Sequence, residues 1–139
     1  MAGEASIWDS AWKLLTFDSG TGRLAPPLPE TEVNAEFHKE GRLTGSAGCN
    51  RYGTTYETKG PAMTVNPLIA ATQMWCGDPE GVMAQEGAFL QAWGRVASYS
   101  LNKERLELAN ASGAAILVFV PGPIGALQLV RPRDVVRLK

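Results

Sequence analysis

The sequence predicts an α+β domain in which a mostly antiparallel sheet wraps around or packs on a single α-helix. Three observations carry this. Short stretches with apolar residues at alternate positions, such as Val33, Ala35 and Phe37, occur on both sides of the middle of the chain. Between them one longer stretch, about residues 78–96, places Val82, Met83, Phe89, Leu90, Trp93 and Val96 at helical spacing. Brief turn sequences such as Lys59-Gly60-Pro61 and Asn102-Lys103-Glu104 separate neighbouring strands, so successive strands pair as hairpins and meanders.

Trp8 to Phe17 reads as the first strand, with Trp12 and Leu14 on one face and Lys13 and Leu15 near the other. Asp18-Ser19-Gly20-Thr21-Gly22 is turn chemistry, and Pro26-Pro27-Leu28-Pro29 reads as a surface loop, because proline cannot donate the hydrogen bonds of a central strand. Val33, Ala35 and Phe37 form the apolar face of a second strand whose polar face is Asn34, Glu36 and His38, with His38 solvated. Gly41 turns this strand into a third. Thr54 to Glu57 and Ala62 to Val65 follow as a hairpin, and Ile69 to Cys76 reads as extended. Asp78 is placed to cap the helix, with Pro79 in its first turn. Gly87 and Gly94 sit beside the apolar stripe, where close contact with the sheet would offset their cost of about 1 kcal/mol each. Ala97 to Leu101, Arg105 to Ala109 and Ala115 to Val120 complete a meander. Residues 1–11 read as a lead-in, 12–120 as the domain, and 121–139 as a C-terminal extension, an added strand or hairpin built from Leu127 to Val130 and Val135 to Leu138.

A chain of 139 residues suits one domain that buries roughly two-thirds of its unfolded surface. With 45% hydrophobic residues, 19% charged residues and a net charge of -1, the composition argues against a disordered or nucleic-acid-binding protein. Acids dominate before Gly41, and Arg131, Arg133, Arg137 and Lys139 make the end basic, which reads as an internal charge match or a solvated tail. No run approaches the length of a membrane span, and the opening residues lack the basic start and apolar stretch of a signal peptide.

The chain is organised around Gly41 to Tyr56, GRLTGSAGCNRYGTTY. Gly45 and Gly48 let the backbone turn sharply or let another element approach, and Cys49, Asn50, Arg51 and Tyr52 crowd a thiol, an amide, a guanidinium and a phenol beyond that turn. Three states are open to Cys49 and Cys76: a structural disulfide, two buried thiols, or a reactive Cys49. A bond between them would contribute about 3.5 kcal/mol by chain entropy, and export favours it. One histidine is too few for an ordinary structural zinc site, so neither metal nor cofactor is expected. Glu86 falls within the apolar stripe of the helix. A carboxylate there needs a cation or backbone amides, for which Arg51 and the amides of the Gly45-to-Asn50 turn are the candidates. The glycine turn lacks the spacing of a phosphate-binding loop, Ser46 lacks a nucleophile-elbow context, and no catalytic residue is singled out.

The segment GSAGCNRY, the later Thr72-Gln73-Met74-Trp75-Cys76 and the Gln85-Glu86 pair together resemble the META domain, the HslJ-like family of small bacterial envelope and stress-associated (heat-shock) domains. Trp75 stands where that family more often carries a small residue. The resemblance implies a strongly curved, barrel-like sheet with one helix against it, and a structural role for Gly45, Gly48, Cys49, Asn50, Arg51, Cys76 and Glu86. It implies no agreed activity. It points to a non-catalytic binding or scaffolding domain, extracytoplasmic if a leader or lipid anchor lay outside the given chain and cytoplasmic otherwise. Its partner would be a protein or an apolar small molecule. One alternative is a carrier of apolar ligands or a secretion-assisting module, with Met83, Phe89 and Trp93 lining a cavity between helix and sheet. Another is a thiol-dependent enzyme or redox protein using Cys49 with Arg51 and Glu86.

Overall fold

Alternating apolar residues give most strands one buried face, and a sheet with so many short strands hides its edges by closing on itself. The computed structural model describes residues 6–8, 10–102 and 104–122. Its elements are β1 (Trp12–Asp18), β2 (Leu24–Ala25), β3 (Asn34–Phe37), β4 (Arg42–Ser46), β5 (Arg51–Lys59), β6 (Ala62–Val65), β7 (Ala70–Ala71), α1 (Val82–Trp93), β8 (Ser98–Asn102), β9 (Arg105–Ala109) and β10 (Ala115–Pro121). Eight strands form an antiparallel barrel in the order β1-β3-β4-β5-β6-β8-β9-β10, closed by pairing of β10 with β1 from Trp12↔Pro121 to Phe17↔Leu117. The two short strands are additions: β2 pairs with the end of β1, and β7 lies along β5 at Tyr52 and Gly53. The predicted α+β class, with a strongly curved barrel-like sheet and one helix, is the observed one.

The helix supplies much of the filling. Phe89 and Trp93 are wholly buried, Phe89 edge-on to Phe17 and Tyr52, and Trp93 edge-on to Phe37 and stacked on Phe119 with ring centroids 5.8 Å apart. Each buried aromatic of this kind stabilises the fold by roughly 2–3 kcal/mol through the apolar area it removes from water. Ile7 also joins the core, and its carbonyl accepts a hydrogen bond from the Trp12 indole at 2.9 Å.

The structure corrects several expectations. The helix begins at Val82 rather than at Asp78. Its N-cap is Gly81 in the left-handed conformation (φ 91°) with no side-chain cap, and Asp78-Pro79 is a cis peptide ahead of it, so Asp78 caps nothing. Gly87 faces solvent, and a Cβ there would meet nothing within 4 Å. No close contact therefore offsets its helix-breaking tendency. Gly87→Ala is expected to raise stability by about 0.5–1 kcal/mol, measurable by urea denaturation. Asn34, assigned to a polar face, is 1% exposed because its side chain completes the β3–β4 interface. His38 is half-buried and meets the Thr44 hydroxyl at 2.8 Å. β5 starts at Arg51, earlier than the expected Thr54, because both its edges are paired from there. The strands expected after Pro123 lie outside the described residues.

Candidate functional site: a polar knot between the β4–β5 turn and the helix

The β4–β5 hairpin ends in Ala47-Gly48-Cys49-Asn50, closed by the Ala47 amide donating to the Asn50 carbonyl at 2.8 Å. Gly48 has φ +116°, which side-chain-bearing residues rarely adopt. This path turns two successive backbone N–H groups toward the helix. Cys49 N and Asn50 N both donate to Glu86 Oε1, at 2.9 and 2.7 Å, and the Asn50 side-chain amide donates to Glu86 Oε2 at 2.7 Å. Glu86 is 6% exposed, so backbone amides and one carboxamide replace the water it has lost. Arg51 is not its partner. The alternation of β5 turns Tyr52 inward and Arg51 outward to solvent, so the guanidinium is on the wrong face.

Asn50 extends the knot to the segment after β7. Its Oδ1 accepts from the Thr72 hydroxyl and the Met74 amide, both at 2.7 Å, and its Nδ2 donates to the Met74 carbonyl at 3.0 Å. Met74 is thereby held by a side chain much as a neighbouring strand would hold it. Thr72 N donates to the Arg51 carbonyl, and Arg51 N donates to Thr72 Oγ1. Cys49 and Cys76 form a disulfide with Cα atoms 6.0 Å apart. Of the three states the sequence left open, the structure holds the first.

Gly45 lies on β4 opposite Tyr52. A Cβ at Gly45 would overlap the Asn34 carbonyl oxygen, so its glycine is demanded by close approach and not by backbone conformation. That carbonyl accepts from the Tyr52 hydroxyl at 2.8 Å, while Asn34 Oδ1 accepts from Ser46 N at 2.7 Å. Burial pushes the Tyr52 phenol far above its usual pKa, against the smaller opposing effects of the Trp93 N–H and the Arg51 charge.

Three residues that sequence reasoning did not assign to the site belong in or beside it. Asn34 is one, and Thr72, whose hydroxyl joins Asn50 and Arg51, is another. Gln85 is the third: it is buried, accepts from Leu28 N at 2.6 Å and donates to Thr31 Oγ1 at 3.2 Å, tying the proline-rich loop to the helix. Its spacing offered a signal, because it follows Val82 by three residues and precedes Phe89 by four on the buried stripe. Of the proposed apolar lining, Phe89 and Trp93 are packed core and Met83 is half-buried, its sulfur accepting from Cys76 N at 3.4 Å. A mostly apolar groove of about 460 Å³ borders the helix instead along Ala84 and Ala88, and is completed by Phe17, Ala25, Pro26 and Leu28, with Ser19, Gly81 and Gln85 also in its lining.

A second buried carboxylate stabilises the β1–β2 turn. Asp18 Oδ1 accepts from Gly20 N at 2.8 Å and Gly22 N at 3.0 Å. The Gly20 N–H lowers its pKa most; burial works against this, and the Gly22 N–H and the Arg95 charge lower it further. A lowered folded pKa means stability that is complete above the usual carboxylate range and lost as pH falls through the depressed value. Asp18→Asn should therefore lower the Tm at neutral pH and flatten its decline below about pH 4, as thermal melts across pH would read.

Among the described residues, no group of three or more His, Cys, Asp or Glu is placed to hold a metal ion, and no helix is long and apolar enough to cross a membrane.

Solved structures resemble this fold. The solution structure of a protein from Burkholderia xenovorans superposes with a TM-score of 0.64 at 22% identity, over 84% of this chain and 83% of that one. A second solution structure of a protein gives 0.60 at 18% identity, over 85% and 96%. The crystal structure of a DUF4847 family protein from Bacteroides vulgatus gives 0.56 at 13% identity, over 82% and 93%. At these identities the likeness is one of fold. No curated protein matches the sequence. Residues 5–122, spanning both the turn and the helix that build the knot, match the META domain model, and the chain belongs to the META domain family.

Proposed function

We propose that this META domain is a non-catalytic binding or scaffolding module working outside the cytoplasm, in the stress-associated envelope setting suggested by its family likeness. The observation that carries the reading is the full internal engagement of its polar centre. Both oxygens of Glu86 and both polar atoms of the Asn50 side chain are engaged by the chain's own backbone, by the Thr72 hydroxyl and by each other. A general base or a ligand-binding carboxylate is open to its substrate, whereas Glu86 is 6% exposed and carries three of the chain's own donors. The Cys49–Cys76 bond supports the extracytoplasmic setting, because such bonds persist in oxidising compartments.

The test is native mass spectrometry of protein purified without reductant, with alkylation before and after denaturation. The expected mass is lighter by two hydrogens, with no alkylation in either state. A fully reduced mass with rapid alkylation of Cys49 in the folded protein would replace this reading with a thiol-dependent enzyme.

One observation favours a second reading, a carrier of apolar ligands: the groove beside Ala84 and Ala88. The same spectra check it. A co-purifying apolar adduct that is lost in Ala88→Trp, which would fill the groove, supports the carrier; bare protein throughout removes it.

A further inference from the structure

We propose that the Cys49–Cys76 disulfide is a redox-sensitive latch whose reduction releases the segment of residues 72–78 while the barrel stays folded. The buried side chains of the core pass directly from Val65 to Val82, and nothing from Asn66 through Gly81 is buried. Ile69 and Ala71 are half-buried against the core, and pairing with β5 ends at Ala71. Beyond that point apolar burial does not hold the chain. What holds it is the Thr72–Arg51 backbone contact, the Thr72 hydroxyl between Arg51 N and Asn50 Oδ1, the Asn50 clamp on Met74, the Cys76 amide on the Met83 sulfur, and the disulfide. Partly exposed hydrogen bonds of this kind are the ones that open locally without global unfolding.

The two ends of the bond differ. Cys49 stays fixed on the turn because Glu86 holds its amide and that of Asn50. Cys76 has no comparable anchor. Both cysteines are half-exposed, so a small dithiol can reach them. The bond also bears on Met74 and Trp75, which precede Cys76 in the chain. They are 57% and 78% exposed, yet Trp75 lies so close over Gly77 that a Cβ there would come within 2.9 Å of its ring. Exposed apolar side chains gain little from burial, so their placement follows from the Asn50 clamp on Met74 and from the bonded Cys76 next to Trp75.

Reduction proceeds by attack of an external dithiol's thiolate on one sulfur. This forms a mixed disulfide and expels the other sulfur as a thiolate. The dithiol's second thiol then displaces the protein sulfur. The net transfer is two electrons and two protons to Cys49 and Cys76, and the dithiol becomes its cyclic disulfide.

The test is hydrogen exchange followed by mass spectrometry on the full chain, with and without dithiothreitol under native conditions. Peptides covering Thr72, Met74 and Cys76 are expected to exchange about tenfold or more faster when reduced, while peptides from β4, β5, β9 and β10 change by less than about twofold. Cys76→Ser in the absence of reductant should reproduce the pattern. Unchanged exchange on reduction would overturn the proposal, since the Asn50 clamp alone would then suffice. So would acceleration of every peptide together, or a bond that reduces only after denaturant is added, because the disulfide would then be a staple of the whole fold. A Cys76→Ser chain that cannot fold belongs with that last outcome, and the reduced native protein decides it independently.

Discussion

Glu86→Ala is expected to destabilise the domain by about 4 kcal/mol and to lower its Tm by roughly 15 °C. The substitution removes the shared acceptor of three donors, Cys49 N, Asn50 N and Asn50 Nδ2, while the backbone that carries the first two cannot turn away. Each buried donor left without a partner costs roughly 1–3 kcal/mol, reduced to the extent that water enters the space the side chain vacates. Asn50 Nδ2 suffers least because it also donates to the Met74 carbonyl. Glu86→Gln is the informative companion. It keeps an acceptor for the two backbone amides, but its own NH₂ would face the Asn50 NH₂, so its loss should be intermediate. Equilibrium urea denaturation reads both. A Glu86→Ala protein within experimental error of the parent would mean that the helix is held by its aromatic face alone.

The second large effect is expected at Gly45. A Cβ there would overlap the Asn34 carbonyl oxygen and come within 3.0 Å of Asn34 Oδ1. Relief requires β3 and β4 to move apart at the point where Asn34 accepts from both the Tyr52 hydroxyl and the Ser46 amide. Losing one buried and one partly buried hydrogen bond of about 1 kcal/mol each, together with the strain of moving packed strands, gives about 3 kcal/mol for Gly45→Ala. Gly53 provides the control on the neighbouring strand. A Cβ at Gly53 meets Thr44 Cγ2 at 3.7 Å and the Leu43 carbonyl at 3.8 Å, which are ordinary contacts. Gly53→Ala should therefore lie within about 0.5 kcal/mol of the parent. Equal losses at the two positions would show that β propensity, rather than the approach of Asn34, sets the cost.

The strands most legible in the sequence were those whose neighbours left no choice. Ala62–Val65 and Arg105–Ala109 have the bounds expected from their turns, because Gly60-Pro61 and the Asn110–Gly113 turn end the pairing sharply. The apolar stripe identified the helix and placed Glu86 on its buried side. The helix start was misread, because Asp78-Pro79-Glu80 has the composition of an N-terminus although the chain uses those residues to approach it. Asn34 was misread for a related reason. Alternation assigns faces, but it does not foresee a side chain that substitutes for a backbone acceptor where β3 meets Ser46.

The sequence by itself determined the α+β class, the single helix, the turn at Gly48, and the need of Glu86 for buried partners, because local periodicity, backbone permissiveness and the cost of an unpaired charge are all written in residue types. Only the tertiary structure decided that those partners are backbone amides and Asn50 rather than Arg51, that β10 closes on β1, and that Cys49 bonds Cys76. These depend on which faces and ends meet across long separations in the chain. A strand's alternation makes Arg51 and Tyr52 point opposite ways, but only barrel closure establishes which of them meets the helix.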